Sequence, residues 1–223
     1  NFGHSSTTLA IYRDEILQHI SVVPLGGYHI THDIEETGIS EASAEKLKCL
    51  KGVCMKHLIE QPVNIKIAHR DPEKQPVVLT DQFLALIIEA RLDEIMEPIF
   101  RELKARQRDL PHGIVLTGGG SRLGKLQEYI ELRTDIYTRY GDHSIWLSAD
   151  SDPHYSEPEY SQLVGTLLLA SSSLAEELEQ QRKKEEAGEG KKKQPRRRFF
   201  RDSISQGIFR FFEDDSDLQQ PKA

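Results

Sequence analysis

The chain has 223 residues, with 29 Lys and Arg against 36 Asp and Glu, a formal net charge of -7 and a pI ≈ 5.7. Phosphate backbones require a basic surface for counterion release, so this balance excludes a general nucleic-acid binder. The length allows one substantial core, or a core with a small subdomain, and no apolar run reaches the roughly 18 to 20 residues that span a bilayer, so any membrane contact is expected at the surface.

In chain order, β-rich residues 8–12 and 16–23, separated by Arg13, Asp14 and Glu15, predict a hairpin. Residues 29–36 predict a short helix. Ser40 is placed to N-cap a second one carrying Ala44, Leu47, Leu50 and Val53. The only cysteines, Cys49 and Cys54, fall in this second predicted helix and fit a reduced compartment better than a disulfide scaffold. Residues 63–68 and 77–79 predict two short strands about a polar turn. Thr80 then caps the longest predicted helix, in which Leu84, Ile88, Leu92, Ile95, Ile99 and Leu103 recur at helical spacing and Pro98 is expected to introduce a bend.

Residues 113–117 predict an apolar strand leading into Gly118, Gly119 and Gly120, with Leu123, Leu126 and Ile130 marking a helix after it. A strand over 145–147 and a helix over 160–181 complete an alternating α/β pattern. Residues 180–198 are charged and almost free of apolar side chains, a composition that reads as a disordered linker. Beyond them Phe199, Phe200, Ile204, Ile208, Phe211 and Phe212 share one face of a predicted amphipathic helix over 199–213, followed by an acidic disordered tail over 214–223.

Several segments carry candidate chemistry. The small-residue turn over 1–8 offers backbone N–H groups and the hydroxyls of Ser6, Thr7 and Thr8, with Gly3, to phosphate oxygens; its bland alternative is a turn that is small for steric reasons. Gly118, Gly119 and Gly120 would let a flat ring or a phosphate approach the backbone at a helix N-terminus, or else merely close a tight turn. Glu45 and Lys48, three apart on one helix face, suit ribose hydroxyls or an adenine edge, but equally a solvated ion pair. His29 and His32 share a helix side without a third zinc ligand and are read as surface or loop histidines. In the tail, aromatic anchors follow the basic run Lys191, Lys192, Lys193, Arg196, Arg197 and Arg198, which pairs apolar burial with attraction to anionic lipid; the alternatives are docking on a protein groove or a plain solvated linker.

In this order the segments resemble the second half of the actin–Hsp70 superfamily, and most closely the bacterial cell-division FtsA family, over roughly residues 1–170 and the tail. The resemblance implies an actin-like ATPase lobe of ribonuclease H-like α/β architecture with a small inserted α+β subdomain and a C-terminal amphipathic helix. Its parts would be a nucleotide-binding lobe over 1–38 and 108–179, the inserted subdomain with its long helix over 39–107, and the linker, helix and tail described above. It further implies ATP with Mg2+ in the full-length protein. Gly3, Ser6, Thr7 and Thr8 would contact phosphate, Glu45 and Lys48 the ribose or base, and Gly118, Gly119 and Gly120 the adenosine.

The implied partners are the FtsZ C-terminal tail, met by Arg91 within the Leu86–Arg91 stretch, an anionic membrane surface met by the aromatic tail, and further copies in actin-like filaments; nucleic acid is not among them. The implied location is the cytoplasmic face of the inner membrane at the division septum. Asn1 stands where the family has a magnesium-assisting aspartate, His4, Ser5 and Ser6 replace a glycine-rich run, and Ala90 stands where proline is usual. Weak ATP hydrolysis at most is therefore expected, with none from this segment alone. The absent first phosphate loop and the start at Asn1 lead to the expectation that the chain begins inside a domain. Rival readings are a sugar- or acetate-kinase-like phosphotransferase and a chaperone-like or pilus-assembly actin homologue whose tail meets a protein.

Overall fold

A computed structural model of the chain describes residues 1–106 and 110–186. The expectations for the rest of the linker and for Phe199, Phe200, Ile204, Ile208, Phe211 and Phe212 lie outside the described residues. Strands β1 (Thr7–Arg13) and β2 (Ile16–Val23) pair antiparallel from Thr7↔Val23 to Arg13↔Ile16, with a register shift between Ile11 and Tyr12. The predicted hairpin forms because both turn residues, Asp14 and Glu15, take positive φ (50° and 64°), the geometry whose twist matches a two-residue hairpin.

Helix α1 (Gly27–Glu35) buries Ile30, Thr31 and Ile34. Helix α2 (Glu41–Lys51) starts where expected, the Ser40 hydroxyl accepting the Ser43 amide at 3.3 Å. It ends earlier than its apolar spacing predicts. Leu50 is exposed, and Val53 lies outside the helix in a parallel bridge to Gly124. Cys54 is likewise outside it and fully buried.

Strands β3 (Asn64–Ile67) and β4 (Val77–Thr80) pair antiparallel and lead into helix α3 (Asp81–Ala105). Thr80 caps α3 through the Phe83 amide at 3.1 Å, and the helix continues through Pro98. Its stripe of Leu84, Ile88, Leu92, Ile95, Met96 and Leu103 is the spine of the core, closed by Ile30 and Ile34 from α1 and Leu47 from α2.

Strand β5 (Ile114–Leu116) runs parallel to β6 (Thr138–Tyr140), joined through helix α4 (Leu126–Thr134), whose Leu126, Tyr129 and Ile130 are buried. A parallel pair requires such a crossover. The expected strand over 145–147 is instead a short 3-10 turn (Ser144–Trp146). Asp142 Oδ1 accepts the Ser144 amide at 2.9 Å and starts that turn, while Ile145 and Trp146 are 80% and 62% exposed, so their apolar character does not mark core. Helix α5 (Ser161–Glu186) runs on through residues 180–186, where the charged composition predicts disorder. Those residues are Gln, Arg, Lys and Glu, all strong helix formers.

The described residues fall into two units, Asn1–Ala170, which holds the buried core, and the part of α5 from Ser171 onward. No helix among the described residues is long and apolar enough to cross a membrane.

Candidate functional site

The turn over 1–8 is a closed local structure. Gly3 N donates to Ser6 O (3.0 Å), Thr8 N donates to Asn1 O (2.8 Å), and Phe2 bridges antiparallel to Thr7. Its carbonyls are met by the start of α1, Gly27 N donating to Gly3 O (3.0 Å) and Tyr28 N to His4 O (2.8 Å). Those helix-terminal amides are therefore spent within the chain. Of the expected phosphate contacts, Thr7 is buried with its hydroxyl donated to Leu25 O at 2.8 Å, which makes it a structural anchor, whereas Ser6 and Thr8 stay partly open. A Cβ at Gly26 would stand 2.6 Å from Gly3 O and His4 O, so only glycine allows the turn to seat on α1.

The predicted ribose pair is present and more deeply tied than an i,i+3 contact requires. Lys48 Nζ donates to Glu45 Oε2 (2.7 Å), Thr31 Oγ1 (2.8 Å) and Gly27 O (2.9 Å), while the Thr31 hydroxyl also donates to Glu45. Burial pushes the Glu45 carboxyl up, but the hydrogen bonds from Lys48 and Thr31 outweigh it and hold the group below its ordinary value. With 11% of its side chain exposed and its ammonium engaged by three oxygens, Lys48 positions Glu45, and Glu45, at 43%, faces the solvent side. Beside this network lies a pocket of about 490 Å³ walled by His4, Tyr28, Thr31, Glu41, Ala42 and Glu45. It joins His4, at the tip of the turn, to the Glu45 carboxylate.

The glycine loop reaches the same turn from the other side through Phe2, whose N–H donates to Thr117 O (2.8 Å) and whose carbonyl accepts from Gly120 N (2.9 Å). The loop opens a 3-10 turn (Gly119–Arg122) rather than α4 itself, which begins only after Lys125 at φ 66°. The expected helix N-terminus is thus displaced from the glycines. Gly118 adopts φ +89°, where a Cβ would lie 2.6 Å from Phe2 O, and a Cβ at Gly120 would meet the Phe2 ring at 2.7 Å. Both glycines serve this internal packing. Gly119 is the open one, where a Cβ would come no nearer than 3.9 Å to Glu159, and Arg122 pairs with that same Glu159 at 3.2 Å.

Asn1 brings a neutral amide to the position expected to assist Mg2+, with Oδ1 turned to the glycine loop, 2.8 Å from where a Gly118 Cβ would stand. Among the described residues no group of three or more His, Cys, Asp or Glu side chains could hold a metal ion. The donors present do not fit a protein-held divalent cation, which favours carboxylate oxygens.

Arg91 lies apart from this site. A surface arginine at this position is expected to pair with Glu89 or Asp93 if it has no partner role; the structure gives a fork onto Asp33 of α1, Nε to Oδ2 at 2.5 Å and Nη2 to Oδ1 at 2.7 Å, and an i,i+3 pair of Nη1 with Glu94 at 2.6 Å. The Asp33 hydrogen bonds raise its already high pKa. Next to Asp33 runs a groove of about 630 Å³ lined by Val77, Val78, Leu79, Phe83 and Ile87 with Glu36 and Thr37 at its rim.

Sequence reasoning missed Thr31, Tyr28 and Phe2, the residues that hold these motifs together. Thr31 was legible only as a threonine on the buried side of α1, a position where a hydroxyl needs a partner.

A family model described as "Cell division protein FtsA" matches residues 1–165. The FtsA of Bacillus subtilis (strain 168) is 37% identical over 174 residues, which cover 76% of this chain and 37% of that protein. That of Streptococcus pneumoniae serotype 2 is 33% identical over 144 residues, 61% of this chain and 31% of the relative. The chain thus spans about a third of the length of these relatives. Among solved structures, MreB5 of Spiroplasma citri bound to AMPPNP superposes with a TM-score of 0.62 at 16% identity, covering 80% of this chain and 53% of that one. A MamK double helical filament gives 0.53 at 12% identity, over 74% of this chain and 53% of its own. The fold is that of the actin-like ATPases, and with the family model matching most of its length, the chain belongs to the FtsA cell-division family.

Proposed function

We propose that the protein carrying this chain is a peripheral tether that anchors FtsZ to the cytoplasmic face of the inner membrane at the division septum, with bound ATP setting its actin-like self-assembly. One observation carries the nucleotide part: the pocket that connects the tip of the turn over 1–8 to the Glu45 carboxylate held by Thr31 and Lys48. The MreB5 structures contain ADP or AMPPNP and the MamK structure is a filament, which supports nucleotide binding and self-association here. Turnover is secondary in this reading, because Asn1 supplies no carboxylate to a metal.

The tether part rests on residues 191–212, where a basic run precedes Phe199, Phe200, Ile204, Ile208, Phe211 and Phe212. The FtsZ part rests on Arg91 beside the apolar groove of α3 and β4. An acidic peptide reaching Arg91 has to displace Asp33, so Asp33→Ala should strengthen binding of an FtsZ tail peptide and Arg91→Ala should weaken it. Fluorescence anisotropy of the labelled peptide reads both, and equal affinity for all three proteins removes Arg91 from the site. Flotation on vesicles containing anionic lipid tests the tether: the chain should float, and a variant lacking residues 199–223 should stay in the dense fraction. A kinase-like phosphotransferase would gain nothing from such a tail.

A further inference from the structure

The pocket beside the turn has an unusual charge balance for a phosphate site. Of its six lining side chains, Glu41 and Glu45 are carboxylates, and His4 is the one able to become cationic. Lys48 stands behind Glu45, its ammonium already shared among three oxygens of the chain. Asn1 adds no charge, and the described donors do not fit a protein-held Mg2+. A nucleotide phosphate entering here meets two acids and needs a cation from somewhere.

His4 is built to supply it. Its carbonyl accepts from Tyr28 N at 2.8 Å, and its ring lies tilted on the Tyr28 ring at 5.3 Å between centroids, in the wall of the pocket. The groups around it are Tyr28 from α1, whose ring also lies 5.9 and 6.4 Å from the His29 and His32 rings, and Glu41 and Glu45 from α2, which line the same pocket. His4 is also a departure from the glycine-rich run of the resembled pattern, so its side chain is a feature of this chain rather than of the fold.

Resting on the nucleotide reading above, we propose that His4 is a phosphate-contacting residue that binds the anion as its imidazolium, so that this chain holds a nucleotide without a protein-bound divalent cation and more tightly as the pH falls. An imidazolium gives a charge-assisted hydrogen bond to phosphate and changes its charge within the physiological range, which neither the hydroxyls of the turn nor the two carboxylates do.

The test titrates the 223-residue chain by calorimetry with adenosine and with the non-hydrolysable analogue AMP-PNP, each with Mg2+ and with EDTA, at about pH 6 and pH 8. AMP-PNP should bind equally in Mg2+ and EDTA and about tenfold more tightly at the lower pH, while adenosine should respond to neither variable. His4→Gln should remove the pH difference for AMP-PNP and leave adenosine binding alone. His4→Arg should keep tight AMP-PNP binding at both pH values, and Asn1→Asp should make it Mg2+-dependent. Loss of wild-type AMP-PNP binding in EDTA overturns the proposal, as does a pH difference that survives in His4→Gln. Absence of adenosine binding as well as AMP-PNP binding overturns the nucleotide reading from which it follows.

Discussion

Lys48 and Glu45 are a pair whose worth depends on a third residue. Thr31 lets both share one buried hydroxyl, and removing either charge leaves the other partly desolvated. Lys48→Met is expected to destabilise the chain by about 1–3 kcal/mol, measured by urea unfolding. Because the Glu45 carboxyl sits below its ordinary value of 4.5 in the folded chain, its contribution to stability is present above that value and disappears as the pH falls through the folded pKa. Glu45→Gln should therefore flatten that part of the acid limb of a stability-against-pH curve, and an unchanged limb assigns it to other carboxylates. The two thiols make a second residue-scale contrast. Burial pushes both upward, Cys54 far more than the exposed Cys49. A disulfide reagent at mild alkaline pH should titrate Cys49 slowly and Cys54 only after denaturant is added; fast reaction of both would contradict the burial of Cys54.

At the scale of elements, the glycine loop divides into two kinds of position. Gly118 and Gly120 are shaped by Phe2, and Gly119 is open. Gly118→Ala combines a positive φ with a clash on Phe2 O and should cost about 1–3 kcal/mol, visible as a lower thermal midpoint. Gly119→Ala should leave that midpoint unchanged while weakening adenosine binding if the ring lies on this face. The spine of α3 is the other decisive element: Ile88 is fully buried, and Ile88→Ala should cost about 2–5 kcal/mol through its cavity.

For the whole molecule, the net charge of -7 conceals opposite ends of one short segment. The basic residues of 191–201 lie just before Glu213, Asp214, Asp215 and Asp217. If the basic run draws the chain to anionic vesicles, flotation should decline steeply between low and high salt, because the Debye length shrinks from about 10 Å at 0.1 M to about 3 Å at 1 M. Flotation that is indifferent to salt would leave the aromatic residues as the sole anchor.

The hairpin, α2, α3 and the strand before the glycines were legible because each is a local decision: period-two or period-3.6 apolar spacing closed by a capping hydroxyl or a turn residue such as Ser40 or Thr80. The three-residue strand Thr138–Tyr140 was not, since its pairing with β5 is what makes it a strand. Nor could Ile145 and Trp146 be read as exposed, because burial belongs to the neighbours and not to the residue. Likewise the motifs at 1–8, 45–48 and 118–120 were visible as separate pieces of chemistry. Only the tertiary structure decided that Thr7 and Lys48 are spent inside the chain, that Arg91 is held by Asp33, and that the pocket opens between His4 and Glu45. The physical reason is common to all of them: a side chain's type sets what it can bind, and the partners that fold against it determine whether that capacity is still free.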